Sequence, residues 1–79
     1  MRNTTKEIHR ICERRGVPKI KKGTRCEVDG TPGKIWGGNS SGNFNVKRDD
    51  CGTVVNCHPG WKMKIMADDG EVIYQSEDA

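Results

Sequence analysis

GTRCEVDGTPGKIWGGNSSGNFNVKRDDCGTVVNCHPGWKMKIM, running from Gly23 to Met66, is the stretch that decides the fold. Its apolar residues come in brief alternating runs, Cys26/Val28, Ile35, Phe44/Val46, Val55/Cys57 and Met63/Ile65, each closed by Gly, Asn, Asp or Pro. Alternation turns one face of each strand inward. Runs recurring about every 8 to 12 residues, with turn chemistry between them, describe a meander that closes on itself. The pattern predicts a mainly β fold, a very small barrel of about five antiparallel strands.

The first strand is expected over residues 23–30, with Thr24, Cys26 and Val28 on one face, and Asp29 to Gly33 then turns the chain. Lys34-Ile35-Trp36 follows as a short second strand. Gly37 to Gly42 reads as a flexible loop whose glycines permit positive φ, and it lacks the Gly-Lys-Ser/Thr ending of a Walker loop. Asn43–Lys47, Thr53–Cys57 and Trp61–Met66 are the remaining strands, separated by the Arg48–Gly52 turn and by His58-Pro59-Gly60. Ala67 to Gly70 turns again, Glu71–Tyr74 can add an edge strand, and Gln75–Ala79 reads as a frayed acidic tail. The predicted core is Cys26, Val28, Ile35, Phe44, Val46, Val55 and Ile65.

Upstream of the barrel, Thr4-Thr5-Lys6-Glu7 has capping-box spacing, and Gly16 followed by Pro18 ends the helix that it starts. At 100° per residue, Thr5, Ile8, Ile11 and Cys12 share an arc. Arg2, Lys6, Arg10 and Arg14 form a stripe roughly opposite. The helix is therefore expected to pack its isoleucines on the barrel, with Ile20 anchoring the linker and Lys19, Lys21 and Lys22 extending the positive region. The organisation is one domain: basic helix and linker over 1–22, barrel over 23–74, acidic tail over 75–79.

Charge is uneven. Residues 1–25 hold nine Lys/Arg against Glu7 and Glu13, a net of +7, whereas residues 26–79 hold five against nine, a net of −4; the overall +3 conceals a dipole. A basic arm ahead of a mildly acidic barrel suits attachment to phosphate, although a charged helix face is also stable when merely solvated.

Length narrows the function classes. A chain of 79 residues buries only about 60–65% of its unfolded surface, which leaves no room for a substrate cavity within a monomer. With 32% apolar residues and four aromatics, the core is small enough that dimerisation or a partner would help it. No apolar stretch approaches the roughly 18 residues of a membrane span, and Met1 to Glu7 lacks the apolar core of a signal peptide. A cytoplasmic chain is expected, in which thiols stay reduced and the sequons at Asn3 and Asn39 carry no meaning. The four cysteines, Cys12, Cys26, Cys51 and Cys57, contain no C-x-x-C pair, so neither metal nor cofactor is expected. Cys57 and His58 are adjacent, and consecutive strand side chains point to opposite faces, so they do not form a nucleophile and base.

Gly23-x-x-Cys26-x-Val28-x-Gly30-x-x-Gly33-x-Ile35 resembles the opening of KOW-type and other SH3-like barrels. That resemblance covers about a third of the chain and implies binding to RNA or to ribosomal or transcription-complex surfaces. Gly33-Lys34-Ile35-Trp36-Gly37-Gly38-Asn39-Ser40, with Asn56-Cys57-His58-Pro59 and Trp61, resembles small uncharacterised proteins of phages and prophages, which implies a source and a host cytoplasm. His58-Pro59-Gly60 is similar to a run in the plasmid-borne type II dihydrofolate reductases, another SH3-like family. That family places Gln-Ile-Tyr in a tetramer pore; Met63, Lys64 and Ile65 stand at the matching positions here, so the resemblance extends to the fold and not to the activity.

If Ile35 points inward, Trp36 points outward, where an indole can stack on a base at about 1–3 kcal/mol. Trp61, beside the Pro59-Gly60 break, either does the same or caps the open barrel end. The expected function is a non-catalytic module that binds nucleic acid or a nucleic-acid-associated complex through Arg2, Lys6, Arg10, Arg14, Lys19, Lys21 and Lys22, with Lys34 and Trp36 on the barrel. The competing class is a protein-interaction module that docks on a host protein or self-associates through an exposed sheet edge. An enzyme whose site forms only in an oligomer is a third.

Overall fold

The structure is a computed structural model that describes residues 5–79; Arg2 and the Thr4 half of the capping box lie outside the described residues. Helix α1 (Thr5–Arg15) places Glu7 in its first turn and Arg14 and Arg15 in its last, matching both ends of the helix dipole. Gly16, at φ 70°, lets the chain leave the helix, and the Val17 N–H donates to the Cys12 carbonyl at 2.9 Å. The arc expected to face inward does so: Ile8, Ile11 and Cys12 are buried, and Ile20 is anchored with Val17 in the same core.

Six strands follow: β1 (Arg25–Val28), β2 (Thr31–Gly38), β3 (Phe44–Arg48), β4 (Val54–Cys57), β5 (Met63–Met66) and β6 (Val72–Gln75). They pair antiparallel in one sheet of order β4-β3-β2-β1-β5-β6. The fold is mainly β with a single short N-terminal helix, and the expected optional edge strand is present as β6. Cys26, Ile35, Phe44, Val46, Met63 and Ile65 form the inward face and meet the helix isoleucines. Val28 and Val55, expected in the core, are only half-buried and pack against its edge.

Four local expectations are corrected. The first turn is two residues rather than five: Asp29 (φ 53°) and Gly30 (φ 79°) both take the left-handed region, as a type I′ hairpin needs, and β2 starts at once at Thr31. Thr24 does not face inward; its hydroxyl donates to the Lys21 carbonyl at 2.7 Å and closes the turn before β1. Gly37 and Gly38 are not loop residues but the end of β2, beyond an irregularity in register between Ile35 and Gly37. A Cβ on Gly38 would strike Ile11 Cδ1 and stand 3.0 Å from the Glu7 carbonyl oxygen, so Gly38 serves close helix packing rather than looseness. β5 begins at Met63, because Trp61 and Lys62 belong to the turn: the Trp61 N–H donates to the His58 carbonyl at 3.0 Å and Lys62 has φ 45°.

The tail is pinned rather than frayed. Ser76 is buried, its N–H donates to the Met63 carbonyl at 2.9 Å, and its hydroxyl accepts the Met63 N–H at 2.9 Å. Asp78 Oδ1 takes the Ser76 hydroxyl at 2.8 Å and the Lys62 N–H at 2.7 Å.

Candidate functional site

Antiparallel register brings three cations into one row. Arg25 of β1 faces Lys34 of β2, and Lys34 faces Lys47 of β3. Their neighbours Cys26, Ile35 and Val46 are buried, so alternation turns the row to the outer face of the sheet. Asp49 is the carboxylate that serves this row, 3.6 Å from Arg25 and 3.9 Å from Lys34. Like charges directly opposite on adjacent strands cost stability, and a single half-exposed carboxylate does not offset three cations.

Beside this row stands Trp36, half-buried on β2. Lys22 places its ammonium 4.3 Å from the ring centroid and Lys47 places its own at 4.5 Å. The ring quadrupole attracts both cations, so the indole fixes two otherwise mobile lysines and ties the linker before β1 onto the sheet. Trp36 points outward as alternation requires. Its ring carries the ammoniums of Lys22 and Lys47.

The residues expected to bind fall into separate groups. Lys22, Lys34 and Trp36 come together, joined by Arg25 and Lys47, which sequence reading passed over because strand register is not a local signal. Arg10 and Arg14 line a cleft between α1 and the 39–42 loop. Lys19 and Lys21 line another depression with Ile20, Met66 and Ile73. Lys6 is exposed on α1, and Arg2 lies outside the described residues.

Trp61 is the more exposed indole, at 49%. It lines an open cleft of about 300 Å³ together with Val28, Val46, Val55 and Cys57.

The cysteines are unpaired, with Cys51 exposed and the other three buried. Burial pushes the Cys26 thiol up from 9.0 to about 12, and burial likewise raises Cys12 and Cys57, which keeps all three protonated at neutral pH. His58 is exposed beside buried Cys57, and its Nδ1 accepts the Gly60 N–H at 2.8 Å. Among the described residues, no three His, Cys, Asp or Glu side chains are placed to hold a metal ion. Met63 and Ile65 are fully buried in the core. No helix among the described residues is long and apolar enough to cross a membrane. Comparison with protein-family models, with curated proteins and with solved structures finds no match, so the chain's own residues carry its functional reading.

Proposed function

We propose that this chain is a non-catalytic module, SH3-like in architecture, that holds nucleic acid by its phosphate backbone on the outer sheet face. The observation that carries this reading is the Arg25–Lys34–Lys47 row with Lys22 and Lys47 drawn onto Trp36. A row of facing like charges costs folding stability and is relieved when phosphates sit across it. Because the Trp36 ring already holds ammoniums, contact is to phosphate and sequence preference is low.

The test is a titration of fluorescent single-stranded and duplex oligonucleotides across salt concentrations. If Lys22, Arg25, Lys34 and Lys47 neutralise about four phosphates, log affinity falls with log salt at a slope of about −3. Replacing Lys34 and Lys47 with Gln is expected to flatten that slope by about one to two. Arg10→Gln with Arg14→Gln flattening it instead would move the interface to the helix. Absence of binding to any strand at about 50 mM salt overturns the reading.

A protein-interaction reading is favoured by one other observation, the apolar side chains exposed on edge strands: Val54 on β4, and Val72 and Ile73 on β6. Under that reading a partner strand, including one from a second copy, adds to an edge and the basic face meets acidic protein.

A further inference from the structure

The cleft between α1 and the loop after β2 is a second basic site, distinct in composition from the sheet face. Glu7, Arg10, Ile11 and Arg14 contribute one longitudinal stripe of α1, spaced i, i+3, i+4 and i+7; Gly38, Asn39, Ser40 and Gly42 form the other wall. It is an open cleft of about 500 Å³, within the range of small-ligand sites, about 300–1,000 Å³.

The loop wall is held in shape before any ligand arrives. Asn39 Oδ1 accepts the N–H groups of Ser41 (3.1 Å) and Asn43 (3.3 Å). Its Nδ2 donates to Asn45 Oδ1 at 3.1 Å and Asn56 Oδ1 at 2.7 Å, tying the loop to β3 and β4. Arg15 clamps the far side, donating from Nε to the Gly42 carbonyl at 3.0 Å. Gly42, at φ 79°, admits this: a Cβ there would come within 3.1 Å of Arg15 Nη2 and 3.5 Å of Arg14 Nη1. Arg15 is thereby used by the fold, whereas Arg10 and Arg14 line the cleft and are exposed. Glu7 lies 3.7 Å from Arg10 and offsets part of one charge, so the cleft keeps a net positive wall.

Arginines in the last turn also stabilise a helix end through its dipole. That role accounts for Arg14 and Arg15 but not for Arg10, a turn earlier, nor for a pre-shaped loop opposite them. The cleft meets α1 side-on, where the dipole's terminal charge has little hold on an anion.

We propose that this cleft binds a phosphate monoester carried on a nucleoside, with Arg10 and Arg14 on the phosphoryl oxygens, the Ser40 hydroxyl as a further donor, and the nucleoside along the loop wall. The planar forks of two guanidiniums suit a monoester, which presents three free oxygens where a diester presents two. The remaining volume is too large for phosphate alone and accommodates the nucleoside. The same chemistry comes from a free mononucleotide or from the 5′-phosphorylated end of a strand. The site stands apart from the sheet-face reading, so either can fail without the other.

The experiment follows backbone amide and arginine Nε signals by NMR while AMP, adenosine, and matched oligonucleotides with and without a 5′-phosphate are added to the whole chain. AMP is expected to shift Ser40, Ser41 and Gly42 and the Nε signals of Arg10 and Arg14, and adenosine is expected to leave them unmoved. Binding should weaken as pH falls below about 6, where the monoester gains a proton. Arg10→Gln and Arg14→Gln each lower AMP affinity about tenfold, Arg14→Lys falls between, and Lys64→Gln, on β5 and outside both basic sites, changes nothing here. All these side chains are exposed or half-exposed, and unchanged amide spectra of the variants elsewhere verify their folding. Shifts with AMP identify a mononucleotide site; shifts with only the 5′-phosphorylated strand identify a strand-end site. The proposal is overturned if neither moves the loop signals, if adenosine moves them equally, or if the arginine variants bind as the original chain does.

Discussion

Single side chains here are constrained most where one atom has nowhere to go. Gly38→Ala would drive a methyl onto Ile11 Cδ1 and the Glu7 carbonyl, prising α1 from β2. We expect a loss of about 1–3 kcal/mol by denaturant unfolding, and a smaller loss when Ile11→Val removes the struck carbon. The buried thiols make a second prediction. A thiol whose pKa is raised on folding holds its proton more tightly in the native state, so its stabilising share is full below the unfolded value of 9.0 and is lost as pH climbs toward about 12. Thermal unfolding should therefore drop steeply through that window, by up to about 1.4 kcal/mol per pH unit for Cys26. At neutral pH an alkylating reagent should modify Cys51 alone in the native protein and all four cysteines once it is denatured; rapid labelling of Cys26 in the folded state would contradict its burial. The sequence announced Cys26 as inward through alternation alone. It also announced Gly38, but in the wrong sense: a glycine signals loop freedom and close packing alike, and only the helix lying over it separates the two.

The elements were legible to the extent that their signals are local. Phe44 and Val46 set the phase of β3, and the isoleucines set that of α1, within a few residues of chain. The first hairpin was misread because two turn signals, Asp29-Gly30 and Pro32-Gly33, lie side by side; the chain uses the first, leaving Pro32 and Gly33 in β2. Arg25 and Lys47, which join the expected Lys34 in one row, carry no local signal because no sequence window contains strand register. The tail was lost for the same reason, since its partners lie more than ten residues away. Ser76→Ala should leave the buried Met63 N–H without its acceptor and cost about 1–3 kcal/mol, loosening β6 in hydrogen exchange before the rest of the sheet. The Lys62 N–H, then the Ser76 hydroxyl, hold Asp78 below its ordinary carboxylate pKa. A carboxylate lowered in this way stabilises the fold above its unfolded pKa of 3.8 and ceases to as pH falls through the native value, so the β5–β6 end should be the first to open in acid.

For the whole molecule, the six-stranded order leaves β4 and β6 as edges, one near the basic row and the other amid Asp68, Asp69 and Glu71. Exposed Val72 and Ile73 on β6 make that edge the expected route of self-association at high concentration. Ile73→Lys should raise the concentration at which light scattering appears without lowering the melting temperature by more than about 2–4 °C, since exposed substitutions stay within about 0.5 kcal/mol. The two tryptophans, finally, occupy contrasting surroundings: Trp36 lies under two ammoniums at 4.3 and 4.5 Å, whereas Trp61 is half in water with the Lys62 ammonium farther off at 5.5 Å. They amount to a built-in pair of optical reporters. Polyanion that draws Lys22 and Lys47 off the ring should alter the emission of Trp36 while that of Trp61 stays constant. Occupancy of the basic face could then be followed without any label, with Trp61→Phe leaving a single indole to report it.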